Sequence, residues 1–446
     1  VATALLLVPL GRAFGVRGAG ELAALLYLAL ANPIFSRVGG ARLRAQCEVF
    51  VALLVTLAVL LAWRAARQRA DASRFRDAGD EGAVLAACAG ALVGLAFLFK
   101  YNAGAFALPV ALALWFGAER PGLPWRAWLW MAAGAVVPPL VMLGVFAWGG
   151  ALTDLYLATY AYNVFYSGET YRDAWHALTY LVSFPVQHAR VDSLWWLGGL
   201  GSAALVALSL TRRAWLVVPA WVAAACLSIA VNGSRGLPQY FVQAWPALAL
   251  ASGLLLTMLW TRSSLAPRLV IVALVATGVW RVTTIPKGFE NTWHDLQALT
   301  GQVPREQYLE RFGRYEAGDK YSALAIEQLG RYLRERTAPE DRVLVFGFSP
   351  GALVAAQRES ASRFFWSRPV IVGFEAGRPG YGAEGLLEEL RRRDVRVIAL
   401  QRHDWDPDGP DSYTWFTGHP RLAAWLDEAF EFDTDLGPFA IWRRKG

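Results

Sequence analysis

Four groups of polar residues stand at the ends of otherwise apolar runs. Glu48 opens one run, just after Arg42 and Arg44. Lys100 closes another, and Tyr101 and Asn102 form a short turn into the next. Arg235 precedes Gln239 and Tyr240, which open a further run, and His188 and Arg190 precede Asp192. Ionisable side chains next to lipid are costly and tend to be functional. Lysine offers a phosphate a point charge and arginine a planar fork. A cluster of Lys100, Arg235 and Tyr240 on one membrane face could therefore hold a lipid-linked phosphate, with Glu48, Tyr101, His188, Arg190 and Gln239 as neighbours. Taken singly, each also reads as a snorkelling or capping residue at a helix end. Their shared side and depth favour the joint reading.

Other chemistry finds no support in the sequence. There is no HExxH and no Ser/His/Asp spacing. Gly347 and Gly351 lie in GFSPG, which matches neither GxGxxG nor a Walker loop. His403, Asp404, Asp406, Asp408 and Asp411 form the cluster HDWDPDGPD. It lacks the terminal glutamate of a calcium-binding EF-hand loop, so it reads as a solvated turn. Cys47, Cys88 and Cys226 are too far apart for a CxxC motif and read as small buried residues. The residues name no cofactor and leave a divalent metal open.

The elements that must position these residues are membrane helices. Of 446 residues, 55% are hydrophobic and 18% charged, and the mean hydropathy is +0.32. A soluble protein would be about a quarter charged. Residues 285–446 hold 22 Lys+Arg and 25 Asp+Glu, whereas residues 1–284 hold 21 and 11. A polytopic membrane domain over 1–284 and a soluble domain over 285–446 follow. The pI of about 9.4 comes from the apolar part, so it reads as loop arginines at a membrane and excludes a nucleic-acid partner.

Apolar runs at about 20–36, 48–63, 83–99, 102–117, 127–149, 191–210, 214–231, 237–260 and 266–283 predict nine crossings. Val1 lies inside a further apolar run, which reads as a truncated crossing. Thirteen of the 21 basic residues, among them Arg12, Arg64, Arg126, Arg212 and Arg262, fall in one set of loops. The positive-inside rule makes that set cytoplasmic, in the cell (inner) membrane. The polar cluster and the soluble domain are then extracytoplasmic. Residues 150–190, rich in Tyr, Phe and Leu but too interrupted to span, predict helices lying in the interface plane. They read as an anchor or as a rim over an outward-facing site.

The soluble part has the punctuation of a small α/β domain. Helical periodicity over 320–336 precedes an apolar strand at 342–348. A charged helix at 383–393, a strand at 395–400, a helix at 419–430 and a hairpin at 430–444 follow. Alternating strands and helices predict a mainly parallel sheet.

Three membrane segments and one soluble stretch carry a family resemblance. They are RAQCEVFVALLVTLAVLLAW at 44–63, GALVGLAFLFKYNAGAFALPVALALWF at 90–116, SRGLPQYFVQAWPALALASG at 234–253 and RVLVFGFSPGALVAAQRESASRFFW at 342–366. In order and spacing they resemble the GT-C glycosyltransferases of the dolichyl-phosphate-mannose protein mannosyltransferase type, which include lipid A aminoarabinose transferases. The resemblance implies a polytopic α-helical GT-C membrane protein with a C-terminal soluble α/β domain. It also implies sugar transfer from a polyprenyl-phosphate donor to a lipid, glycan or protein acceptor. Tyr240 then corresponds to a phosphate-contacting tyrosine, with Arg235 as its nearby cation, Lys100 to the hairpin lysine and Glu48 to the helix-start acid. The family's catalytic acid follows its first crossing, a place upstream of Val1. No catalytic base is therefore named, and the fragment is expected to be inactive.

Three other readings compete. A transporter needs charges at the bilayer midplane and two similar halves, and neither is evident. A membrane anchor presenting the soluble domain for binding does not need the Lys, Arg and Tyr cluster. A polysaccharide polymerase or ligase would share lipid-linked donors and differs here only through the family resemblance.

Overall fold

The computed structural model describes the chain except residues 31–45, 73–80, 118–124, 169–170, 190–191, 234–237, 263, 283, 314–320 and 406–408. It divides into two compact units, Val1–Val38 with Arg42–Glu290, and Gly39–Ala41 with Asn291–Gly446.

The first unit is helical. Among the described residues, five helices are long and apolar enough to cross a membrane: Cys47–Gln68, Glu81–Phe99, Trp125–Trp148, Arg213–Val231 and Gln239–Arg262. A sixth span is reached if Ala174–Ala189 and Ser193–Leu208, bent by 117°, count as one. Four of the expected crossings take other forms. The 20–36 run is the 12-residue helix Ala19–Leu30, and its remainder lies outside the described residues. The 102–117 run splits into a 3₁₀ turn, Tyr101–Phe106, and the helix Ala107–Phe116. The 191–210 run is one arm of the bent pair. The 266–283 run is the helix Leu265–Val282.

Close backbone approach holds this bundle together. A Cβ at Gly90 would stand 1.8 Å from the carbonyl oxygen of Met131, and one at Gly134 would stand 2.0 Å from that of Ala87. Small residues at such crossings let membrane helices pack where hydrophobic burial adds little. Trp125–Trp148 keeps an apolar outer face, with Leu129, Val137, Leu140, Val141 and Val145 exposed, as a lipid-facing helix would.

The second unit is a five-stranded sheet in the order β2-β1-β3-β5-β4. The strands are β1 (Arg342–Phe346), β2 (Glu359–Ser360), β3 (Val397–Gln401), β4 (Phe430–Leu436) and β5 (Phe439–Arg444). Both faces are covered, so β1 and β3 read as unbroken apolar runs. Alternate residues supply two cores. Leu344, Phe346, Ile398 and Leu400 face the helices Gly382–Arg392, Ser412–Gly418 and Pro420–Ala429. Val343, Val345, Val397 and Ala399 face Ala323–Arg336 and Gly351–Ala356.

The sheet is mixed, against the expectation of a mainly parallel one. β2, β1 and β3 are parallel, but β5 runs antiparallel to both β3 and β4. The reason is the terminal hairpin: two strands joined by a tight turn must be antiparallel. The hairpin docks as a unit, pairing Val397 with Arg443 and Leu400 with Ala440.

Candidate functional site

Glu48 lies in the first turn of the helix Cys47–Ala72, where the unpaired amides and helix dipole favour a carboxylate. It is 1% exposed. Lys100 ends the preceding hairpin arm: its N–H donates to the carbonyl of Ala96, and its extended backbone starts the 3₁₀ turn Tyr101–Phe106. That change of direction aims its ammonium at Glu48, with Nζ 2.5 Å from Oε1. The other carboxylate oxygen, Oε2, accepts from the Cys47 thiol at 3.1 Å. Lys100 Nζ also stands 4.1 Å from the centroid of the Tyr240 ring, within cation–π range.

Tyr240 sits in the 3₁₀ turn Pro238–Ala244, and a buried polar chain sets its place. Gln243 Nε2 donates to the Tyr240 carbonyl at 2.9 Å. Ser228 Oγ donates to Gln243 Oε1 at 2.8 Å, and Asn102 Nδ2 donates to the Ser228 carbonyl at 2.5 Å. Asn102, Ser228 and Gln243 are all buried. The chain ties the Lys100 turn to the Tyr240 turn through the helix Val217–Val231.

The next residue, Phe241, carries the other predicted group. The His188 ring stacks on Phe241 with centroids 3.9 Å apart and planes 11° apart. His188 Nε2 lies 3.7 Å from Asp192 Oδ2, and Asp192 caps the helix Ser193–Leu208 by accepting from the Leu194 N–H. Tyr180, Phe184 and His188 recur every four residues on the helix Ala174–Ala189, so they share a face. Their rings run from Tyr180 through Phe184 to Phe241. Tyr171 Oη donates to the Ala230 carbonyl at 2.6 Å, fastening this segment at the end of the Val217–Val231 helix.

Glu48, Lys100 and Tyr240 are thus brought together, with His188 on the neighbouring ring. Tyr101 and Gln239 are half-buried beside Lys100 and Tyr240 in sequence. Arg235 and Arg190 lie outside the described residues. Cys47, Ser228, Gln243 and Phe241 are site residues that sequence reasoning did not single out. Their signal was weak: a serine and a glutamine inside apolar runs, and a cysteine beside the acid. Among the described residues, no group of three His, Cys, Asp or Glu side chains could hold a metal.

This arrangement can bind an anion. An ammonium has three donors, so pairing with Glu48 does not exhaust Lys100. Glu48 neutralises the half-buried cation, and the aromatic face stabilises it without competing for donors.

No protein-family model matches the sequence, and comparison with curated proteins also finds no match. Solved structures do match. The oligosaccharyltransferase of Archaeoglobus fulgidus, tethered with an acceptor peptide containing the NVT sequon via a disulfide bond, superposes with a TM-score of 0.50 and 12% identity, covering 100% of this chain and 61% of that one. The same enzyme in complex with Zn and sulfate superposes with a TM-score of 0.48 and 14% identity, covering 99% and 60%. The chain therefore spans less than two thirds of the length of that enzyme. The fold is of the GT-C type: a mostly helical part with five apolar spans and a C-terminal domain built on a small sheet.

Proposed function

We propose that this chain belongs to a multi-pass membrane glycosyltransferase of the dolichyl-phosphate-mannose protein mannosyltransferase type. It moves a sugar from a polyprenyl-phosphate donor to an acceptor on the extracytoplasmic face. One observation carries the reading: the Lys100 ammonium is held between Glu48 and the Tyr240 ring at the ends of apolar helices. When the bond between sugar and phosphate breaks, negative charge grows on the phosphate, and a fixed cation there lowers the barrier. Lys100 and Arg235 supply that charge, and the Tyr240 hydroxyl donates to a phosphate oxygen. Glu48 keeps the ammonium in place while no donor is bound. The group that accepts the proton from the acceptor hydroxyl is not assigned.

The test is sugar transfer from a polyprenyl-phosphate sugar by the protein in its native membrane. Lys100→Gln is expected to lower turnover about 10²-fold, and Tyr240→Phe and Arg235→Ala to lower it more than they lower membrane level. Unchanged turnover in all three variants overturns the phosphate site. Transfer from a polyprenyl-diphosphate glycan alone favours the polymerase or ligase reading.

A further inference from the structure

Four aromatic rings gather at the carboxyl ends of β1 and β3, three of them in mutual contact. Phe348 follows β1, Phe365 and Trp366 lie in the segment after β2, and Trp405 follows β3. Ring centroids are 5.2 Å apart for Phe348 and Trp405, 5.7 Å for Phe348 and Trp366, and 5.6 Å for Trp366 and Trp405. Phe365 stacks on Trp366 at 5.8 Å, and the Arg368 guanidinium lies 5.3 Å from the Trp405 ring centroid. These rings are not core. Phe348 is 42% exposed and Phe365 62%, and none of the four rings belongs to either of the domain's two cores.

The position is a switch point of the sheet. After β1 the chain turns to the Gly351–Ala356 helix on one face, and after neighbouring β3 it turns to the Ser412–Gly418 helix on the other. Loops diverging in this way leave a crevice outside the strand ends, where open α/β sheets bind ligands.

The platform is also held rigid from beneath. The Trp405 indole N–H donates to Ser367 Oγ at 2.9 Å, and Ser367 Oγ lies 2.7 Å from Ser412 Oγ. Ser412 donates to Asp404 twice, from Oγ at 2.6 Å and from its backbone N–H at 2.9 Å. Each serine hydroxyl has one proton, so the donors run in a single direction, from Trp405 through Ser367 and Ser412 to Asp404. Ser367, Ser412 and Asp404 are all buried. On the other side, the Phe348 N–H donates to the side-chain oxygen of buried Gln401 at 2.8 Å. A buried carboxylate and two buried serines thus fix the polar edge of one indole, which meets Phe348 at 73° and Trp366 at 58° between ring planes. A solvated turn needs no such support.

We propose that Phe348, Phe365, Trp366 and Trp405 form a saccharide-binding platform. The C–H face of a pyranose stacks on the rings, and Arg368 donates to its hydroxyls. Flat rings with a pinned edge suit a ligand that is apolar on its faces and polar at its rim. The choice of a saccharide among such ligands rests on the proposed glycosyltransferase reading.

The experiment is saturation-transfer NMR on the whole chain in lipid nanodiscs, with cellotriose, maltotriose, mannotriose and chitotriose as probes. Transfer to the ring protons of at least one probe is expected. Phe348→Ala should weaken its binding about fivefold, the size of one aromatic contact, while Phe348→Tyr retains it. Phe348 is half in solvent, so its truncation opens no cavity. Trp405→Phe keeps a ring but loses the Ser367 bond, and an intermediate loss is expected. No transfer to any of the four probes overturns the proposal, as does equal transfer in Phe348→Ala. Lys100→Gln separates the two readings. Probe binding that needs Phe348 while sugar transfer survives Lys100→Gln defeats the donor-site reading alone. Absent probe binding with transfer lost in Lys100→Gln defeats the platform alone.

Discussion

The Glu48–Lys100 pair illustrates what a buried charge requires. Neither group is stable alone at such low exposure, so removing one partner leaves an uncompensated charge, at a cost of about 3–5 kcal/mol. Glu48→Gln is expected to lower the unfolding temperature of the protein in nanodiscs. The double variant Glu48→Gln/Lys100→Met should recover most of that loss without recovering transfer. A double variant as unstable as the single one would show that the two side chains act independently. Asp404 gives a pH-dependent case outside the membrane helices. Burial pushes its carboxyl from the usual 3.8 up to about 6, against hydrogen bonds from Ser412 that pull it down. The folded state then holds this proton more tightly than the unfolded state. The resulting stabilisation is present below about pH 4 and is lost as pH rises through about 6. Pulse proteolysis from pH 4 to pH 8, following cleavage within 342–444, should show this slope in the native chain. It should be flatter in Asp404→Asn, and an identical slope in both would mean that Asp404 does not titrate in this window.

At the scale of elements, the hairpin arm that delivers Lys100 depends on how closely its helix meets Trp125–Trp148. Gly90 and Gly134 leave no space for a side chain on either partner. Gly90→Val is expected to separate these helices and abolish accumulation in the membrane, measured by immunoblot. Gly144→Ala, on the same Trp125–Trp148 helix with nothing within 4 Å, should leave the level unchanged. Equal levels in both would show that the approach is not obligatory. The helix ends were legible because they depend on local composition: Glu48, Lys100 and Tyr240 each mark a place where an apolar run starts or stops. The split of 102–117 into a 3₁₀ turn and a shorter helix was not legible. It answers to Asn102 bonding the carbonyl of Ser228, 126 residues away.

At the scale of the whole molecule, the charge asymmetry predicts topology. The loops rich in arginine are expected in the cytoplasm and the sheet domain outside. With Cys47, Cys88 and Cys226 replaced, Gly377→Cys should react with a membrane-impermeant thiol reagent in intact cells. Thr211→Cys should react only after permeabilisation. Both positions are open: Gly377 has nothing within 4 Å, and Thr211 is exposed. The reverse pattern would invert the topology and place the Lys100 cluster on the cytoplasmic side.

Composition and period, read along the chain, were enough to separate an apolar helical part from an α/β part. They also placed β1, β3 and the terminal hairpin and picked out Glu48, Lys100, Tyr240 and His188 as unusual. These are local properties, set by what each segment can bury and by the period at which it does so. Tertiary structure alone decided that Lys100 pairs with Glu48, 52 residues earlier, and lies under Tyr240. It alone placed His188 on Phe241, and it assembled Phe348, Trp366 and Trp405 at one edge of a mixed sheet. Such contacts depend on the register at which helices and strands pack, which is set by close backbone approach and by hydrogen bonds between distant turns. No single segment carries that information.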